Sequence, residues 1–357
     1  MVSLALDVTA AALATAAALC AWRSCRWLAQ VEAAAEAGAA QTAHGAPPLV
    51  SLLVPARNEE RNVVPCLAGL IEQSHPRCEV IVLDDGSSDA TARVAKSFVA
   101  GARRRAAAVA GAGVVQPDEH EAHVRIVAGR PLEPGWAGKG FACHQLAELA
   151  RGDWLFFLDA DTRLEPGAVE RALSSATAAG AELASFLPRY VGTHWVNRLV
   201  VPWLYFFLTA LVPLPEVRRL HHERIAVANG QAILVRRDAY ERMGGHAAVR
   251  DHVVEDVSIA IAAKRAGLRI ALLDGHRWLA CEMYDGARAL AAGFAKSFHS
   301  AARRYPVQWA GLLTLLVLIG ARPWLRLWTA EAPLERALAL LALLLVGATF
   351  GGLLVRF

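Results

Sequence analysis

The apolar positions of this chain form two kinds of run. Long uncharged stretches lie near the ends. Leu4 to Trp22 is rich in Ala and Leu and carries one charge, Asp7, and two further stretches lie between Arg304 and Arg322 and between Arg336 and Arg356. Each is near the ~20 residues of one bilayer crossing. Between the ends the runs are short and alternate with segments of helical period. Strands are predicted at Leu49–Val54, Glu79–Leu83, Val124–Ala128, Trp154–Leu158, Glu182–Leu187, Asn229–Val235 and Leu268–Leu273. Helices are predicted over Asn62–Gln73, Ala90–Phe98, Phe141–Leu149, Ala168–Ala179, Arg237–Met243 and from Val253 to Ala266. Strand–helix alternation with doubly buried strands indicates an α/β domain on a parallel sheet.

Two segments break that rhythm. Gly101–His123 is rich in Ala and Gly, with Arg103–Arg105 and an acidic patch at Asp118–Glu121, and reads as a solvated insertion. Between Arg198 and Glu216 lie seventeen uncharged residues, including Trp203, Tyr205, Phe206 and Phe207, broken by Pro202, Pro213 and Pro215. Proline and aromatics at that density suggest an interfacial or re-entrant segment over 195–215. The expected organisation is an anchor over 1–26, a linker over 27–48, a catalytic domain over 49–300 and a transmembrane hairpin over 305–357.

Arg23 and Arg26 follow the first apolar run directly. A cleaved signal peptide would carry its basic residues before the run, so a retained anchor fits better. Arginines behind the anchor place the following domain in the cytoplasm. Three spans are expected, the amino end outside and the carboxyl end inside, in a cell (inner) membrane. Arg322, Arg326 and Arg336 fit poorly at the outer tip of the hairpin.

Composition agrees with a membrane protein that has a water-soluble middle. Hydrophobic residues make up 55% of the 357 and charged residues 20%, and mean hydropathy is +0.33. A net charge of +4, with no basic stripe interleaved with aromatics, does not suggest a nucleic-acid partner, and none is expected. The six cysteines are scattered and fit reduced thiols. None of the twelve histidines has metal-ligand spacing, so they are expected on the surface or in the core.

The chemistry gathers at strand ends. The first turn, Pro55-Ala56-Arg57-Asn58-Glu59-Glu60, lacks the glycines of a dinucleotide fingerprint. Its side chains could read a nucleoside by its edges. The second strand ends in Asp84-Asp85, which can accept from a base N–H or a ribose hydroxyl. Trp154–Leu158 ends in Asp159-Ala160-Asp161, two carboxylates where open α/β sheets collect ligands. Carboxylates beyond an apolar strand are costly unless a cation shares them, which points to a metal and diphosphate site. Any one of these turns alone also fits ordinary capping or a solvated turn; three in order favour a site.

Pro55-Ala56-Arg57-Asn58-Glu59, Val82-Leu83-Asp84-Asp85-Gly86-Ser87, Leu158-Asp159-Ala160-Asp161 and the later Val254-Glu255-Asp256 resemble, in order, the motifs of the inverting glycosyltransferases of family 2, of GT-A fold. Gly135-Trp136-Ala137-Gly138-Lys139, Met283–Gly286 and Gly293–Lys296 are similar to the membrane-anchored members associated with carotenoids and hopanoids. The resemblance implies a Rossmann-like mixed sheet flanked by helices. It implies a nucleotide-sugar donor over Pro55, Arg57, Asn58, Glu59, Asp84 and Asp85, with Asp159 beside it. Asp161, with Asp159, would hold Mg²⁺ or Mn²⁺, and Lys139 would contact phosphate. Asp256 would be the general base, with Glu255 ranked second, although two acids at a helix start are also good dipole partners. The Gln-x-x-Arg-Trp motif of processive relatives is missing, which argues against a polysaccharide synthase; Lys296 and Arg304 are candidates for a cation over the diphosphate. The expected acceptor is a hydrophobic molecule presented at the membrane. The alternatives are transfer to a polyprenyl phosphate and a non-catalytic membrane scaffold.

Overall fold

The computed structural model describes residues 2–39, 46–109, 123–191, 195–252, 255–282 and 306–356, with isolated positions 288, 291 and 295. The motifs at Met283–Gly286 and Gly293–Lys296, the candidates Lys296 and Arg304, the acidic patch at 118–121 and the residues Val253 and Val254 lie outside the described residues. The chain divides into two units, Met1–Ala29 with Gly192–Glu216 and Tyr284–Phe357, and Gln30–Val191 with Val217–Met283.

The second unit is built on apolar runs that pair as buried strands. β1 (Val50–Ala56) lies parallel to β2 (Cys78–Asp84) and to β4 (Trp154–Leu158), and β2 lies parallel to β3 (His123–Ala128). The order of the seven-stranded sheet continues from β4 through β8 (Ala232–Arg236) and β6 (Leu183–Leu187) to β9 (Ile270–Asp274). β8 runs antiparallel to both neighbours, with Leu158 opposite Ala232. The sheet is therefore mixed rather than wholly parallel. The reversal brings the residues preceding β8 beside the carboxyl end of β4. β5 (Thr162–Leu164), β10 (Leu279–Cys281) and β7 (Arg189–Tyr190) form a separate small sheet. These strands of two or three residues are too short for a periodicity signal.

Glu79 is buried at the opposite end of the sheet. Its carboxylate accepts from the Ser51 hydroxyl at 2.6 Å and from the Arg151 backbone, and Gly152 N–H donates to the same hydroxyl at 2.8 Å. One acid thus ties together the starts of β1, β2 and β4 through a hydrogen-bonded Oε1. The helices of this unit are α2 (Val63–Ile71), α3 (Thr91–Val109), α4 (Gly138–Leu149), α5 (Ala168–Ala179), α8 (Arg237–Arg242) and α9 (Glu255–Arg265). α3 runs through Gly101 to Val109, so the first part of the expected insertion is helix; Arg103 fastens it by donating to the Val124 carbonyl at 3.0 Å.

α1 (Val2–Ala39) continues well past Trp22 as one helix of 38 residues. Beyond the apolar part, Glu32 and Glu36 pair with Arg277. In the first unit, α6 (Trp195–Ala210) keeps Pro202 inside the helix, and α7 (Leu214–Arg219) follows. α10 (Pro306–Leu316) passes through a π-turn at Val317–Ala321 into α11 (Arg322–Thr329), and α12 (Pro333–Arg356) ends the chain. Small residues let these helices approach: Ala17 and Ala21 pack with Phe206, Ala210 and Leu353, and Ala14 packs with Ile319 and Ala342. Among the described residues, three helices are long and apolar enough to cross a membrane, Val2–Gly38, Ala310–Thr329 and Pro333–Leu354.

The arginines of the hairpin are not bare charges. Asp7 sits 2.8 Å from Arg322 and 2.9 Å from Arg326, and Glu335 also pairs with Arg326. Asp7 is 3% exposed. The lone acid of the first apolar run is thus the counter-charge of Arg322 and Arg326.

Candidate active site

A candidate pocket lies at the carboxyl ends of β1 and β4. Pro55 near the end of β1, Asp159 after β4, Lys139 on the first turn of α4, and Glu255 and Asp256 at the start of α9 line one pocket. Gly230, Phe157, Ile259, His246 and Cys143 also line it.

Lys139 is the centre of this group. Its ammonium lies 2.7 Å from Oδ1 of Asp159 and 2.8 Å from Oε1 of Glu255. Burial opposes the charge on Lys139, but the two carboxylates outweigh it and hold the ammonium well above its ordinary range. Burial would also raise Glu255, yet Lys139 holds it below the usual carboxylate range. Asp159 is pushed up by burial, with Lys139 opposing. The lysine expected on phosphate is thus engaged with carboxylates from two other chain segments.

Among the described residues Asp256 has no such partner. Gly230 N–H donates to its Oδ2 at 3.1 Å, and Oδ1 accepts from Val257 N–H at 2.7 Å. Burial, followed by the Glu255 charge, pushes its carboxyl up to about 6. Two adjacent acids therefore differ: Glu255 is ionised against Lys139, and Asp256 is poised to take up a proton.

Asp161 lacks a cation as well among the described residues, with the Cys281 thiol as its side-chain hydrogen-bond partner. Burial, and then the neighbouring Asp159 charge, push it up to about 7. Its Oδ1 is buried without a hydrogen-bond partner. A buried orphan oxygen between acidic neighbours suits a divalent cation, so Asp159 and Asp161 fit the Mg²⁺ or Mn²⁺ expected of them. Among the described residues no three His, Cys, Asp or Glu side chains form a metal cluster. The protein would thus supply one or two carboxylates and leave the remaining positions to phosphate and water, which is the usual arrangement for Mg²⁺ beside a nucleotide.

The other donor candidates divide. Asn58 adopts φ 59°, a left-handed conformation that asparagine tolerates. Its backbone N–H donates to the Ser87 hydroxyl at 3.0 Å, and its side-chain oxygen accepts from Ser88 N–H at 2.8 Å. Asn58 therefore staples the first turn to the second. Glu59 accepts from Asn62 at 2.7 Å, and burial pushes its carboxyl up. Arg57 is exposed and stands 3.7 Å from Asp85. Burial raises Asp85, with Arg57 opposing. Asp84 Oδ1 is a second buried oxygen without a partner.

Several wall residues carry no motif. Asn229-Gly230-Gln231, just before β8, is a hub. Gln231 C=O accepts from Asp159 N–H at 3.0 Å, and its side-chain oxygen accepts from the Tyr190 hydroxyl at 2.8 Å. Its amide donates to the Cys281 sulfur at 2.7 Å. His246 is a core histidine, as expected of the histidines: burial pushes it down to about 3, and its Nδ1 lies 2.9 Å from the Tyr240 hydroxyl. Gly245, at φ 53°, makes room for that ring, since a Cβ there would come 2.5 Å from Tyr240. A glycine between two amide side chains, just before a strand, was the available signal at Gly230, but its partner depends on packing.

Comparison with known proteins agrees with this geometry. The 4,4'-diaponeurosporenoate glycosyltransferase of Staphylococcus aureus strain USA300 is 28% identical over 263 residues, which are 71% of this chain and 61% of that protein. The match thus spans about three fifths of the relative's length. The solved mannosyltransferase PcManGT from Pyrobaculum calidifontis, in complex with GDP-Man and Mn²⁺, aligns with a TM-score of 0.52 at 22% identity, covering 99% of this chain and 90% of its own. The fold is therefore that of the GT-A glycosyltransferases. Residues 47–304 match the family described as glycosyltransferase like family 2, and with most of the chain in that match, the protein belongs to that family.

Proposed function

We propose that this glycosyltransferase is a membrane-anchored enzyme that moves a sugar from a nucleotide donor to a hydroxyl of a hydrophobic acceptor, with inversion. The observation that carries the reading is the contrast between the two acids at the start of α9. Glu255 is held ionised by Lys139, while Asp256, without a cation of its own, is raised to about 6. A carboxylate of that basicity can take the acceptor's proton as its oxygen attacks the anomeric carbon in line.

The donor's nucleoside would lie over Pro55, Arg57 and Glu59 and against Asp84 and Asp85, with Asn58 holding the two turns together. Asp161, assisted by Asp159, would hold Mg²⁺ or Mn²⁺. When bound, the cation neutralises charge growing on the departing nucleoside diphosphate. The chain's own residues do the rest: Gly230 aims Asp256, Lys139 bridges Asp159 and Glu255 before the donor enters, and the apolar floor of Phe157 and Ile259 limits water.

The three apolar helices favour residence in the cell (inner) membrane, multi-pass, with the catalytic domain cytoplasmic. The pairing of Asp7 with Arg322 and Arg326 reduces the net positive charge of the hairpin tip and makes an outer location affordable. A hydrophobic acceptor follows from that location.

A second reading has an observation of its own. The Staphylococcus relative is named for a carboxylate acceptor. An acceptor that is already ionised, a carboxylate or a polyprenyl phosphate, needs no base. Lipid profiling of a deletion strain, complemented with wild type or Asp256→Asn, separates the two. Loss of a glycolipid that wild type restores and Asp256→Asn does not supports the hydroxyl acceptor; full restoration by Asp256→Asn overturns it.

A further inference from the structure

Resting on the cation reading above, we propose that Lys139 is a built-in occupant of the cation site, released only when a diphosphate takes its ammonium, so that the metal enters with the nucleotide and not before it.

Lys139 lies between carboxylates from two other segments, 2.7 Å from Asp159 Oδ1 and 2.8 Å from Glu255 Oε1. Asp159 is one of the two acids that would face the cation, and the ammonium already holds its Oδ1. A divalent ion at Asp159 would stand within a few ångströms of that ammonium, and like charges so close in a partly buried site repel strongly. Metal alone must therefore break the Lys139–Asp159 pair and receive no compensation. A diphosphate changes the balance. It brings negative oxygens that can accept charge-assisted bonds from the same ammonium. The lysine then exchanges a carboxylate for phosphate, and Asp159 is free for the metal. Asp161, whose Oδ1 has no partner, needs no such release. The site is thus half open to a cation and half closed by Lys139. Because coupling between two ligands is reciprocal, the metal tightens nucleotide binding by the same factor.

The same ammonium bridges to Glu255, so its release also frees the acid next to Asp256. Lys139 is here a positioning residue.

The test is Mn²⁺ binding to the full-length protein in detergent, read by the loss of the free-ion EPR signal, without nucleotide and with UDP or GDP. Lys139→Gln is expected to bind Mn²⁺ alone about tenfold more tightly than wild type, within the usual range of such couplings. With the nucleotide that binds, that advantage disappears. Lys139→Arg keeps the charge and stays near wild type, and Lys139→Met repeats the neutral test so that the result does not hang on the folding of one variant. Equal affinity of wild type and both neutral variants for Mn²⁺ alone overturns the inference while leaving the cation reading standing. Mn²⁺ bound by none of the proteins, with or without nucleotide, overturns both.

Discussion

Gly230 N–H donates to Oδ2 of Asp256 across 3.1 Å, and a Cβ on Gly230 would come 3.1 Å from the Asp256 Cβ. The proposed base is aimed by a position that has no side chain. Gly230→Ala is expected to displace Asp256 by a few tenths of an ångström and to lower kcat by about tenfold or more, since small misplacements of reacting groups are costly. Steady-state kinetics check this, with KM for the donor nearly unchanged.

The basicity of Asp256 predicts a pH profile. A base works only when deprotonated, and this carboxyl is raised to about 6. The transfer rate should therefore fall about tenfold per pH unit below that value and level off above it. Initial rates between pH 4.5 and 8 show the limb; Asp256→Asn should lose about a hundredfold or more and flatten it.

This asymmetry was only partly legible in the sequence. The strand-end acids could be read because they follow apolar runs in a fixed order, and the pocket indeed unites Pro55, Lys139, Asp159, Glu255 and Asp256. Gly230 could not be assigned, because nothing in the period of Ala232–Arg236 tells that β8 runs antiparallel. A parallel strand would send Asn229–Gln231 to the far end of the sheet. Asn58 and Lys139 were legible as site residues but not in their partners. Side chains three segments apart in sequence choose partners by packing, and so one became a staple between turns and the other a bridge between acids. The long uncharged runs were plain. That Asp7 answers the arginines of the hairpin was not, since the pair is separated by most of the chain.

Asp7→Asn leaves Arg322 and Arg326 short of a carboxylate where Asp7 was buried. Removing one partner of a buried ionic group typically costs about 3 kcal/mol. A clear fall in the melting temperature of the detergent-solubilised protein is expected. Asp7→Asn combined with Arg322→Met should lose less than the sum of the two changes, because the second removes a charge the first has stranded.

Tyr240 and His246 offer a check on the pocket wall. The Tyr240 hydroxyl meets His246 Nδ1 at 2.9 Å and accepts from its backbone N–H at 3.1 Å. Tyr240→Phe leaves both groups buried without that partner, at a cost of about 1–3 kcal/mol. His246 adds a pH dependence of known sign. It is neutral in the fold, pushed down from 6.5 to about 3, while an unfolded histidine gains a proton below 6.5. The stability it contributes is present above pH 6.5 and is lost as pH falls toward 3, which urea titrations at pH 7.5 and 5 compare directly.

The central claim is a cation-assisted transfer to a neutral acceptor hydroxyl with Asp256 as base. The most direct measurement is transfer of radiolabelled sugar from a panel of nucleotide donors into the organic phase, using membranes that carry wild type, Asp256→Asn or Asp161→Asn. The account predicts label in an alkali-stable glycolipid for wild type with Mg²⁺ or Mn²⁺, and near-background label for both variants. Undiminished label in Asp256→Asn, carried on a phosphate or an alkali-labile ester, would contradict it.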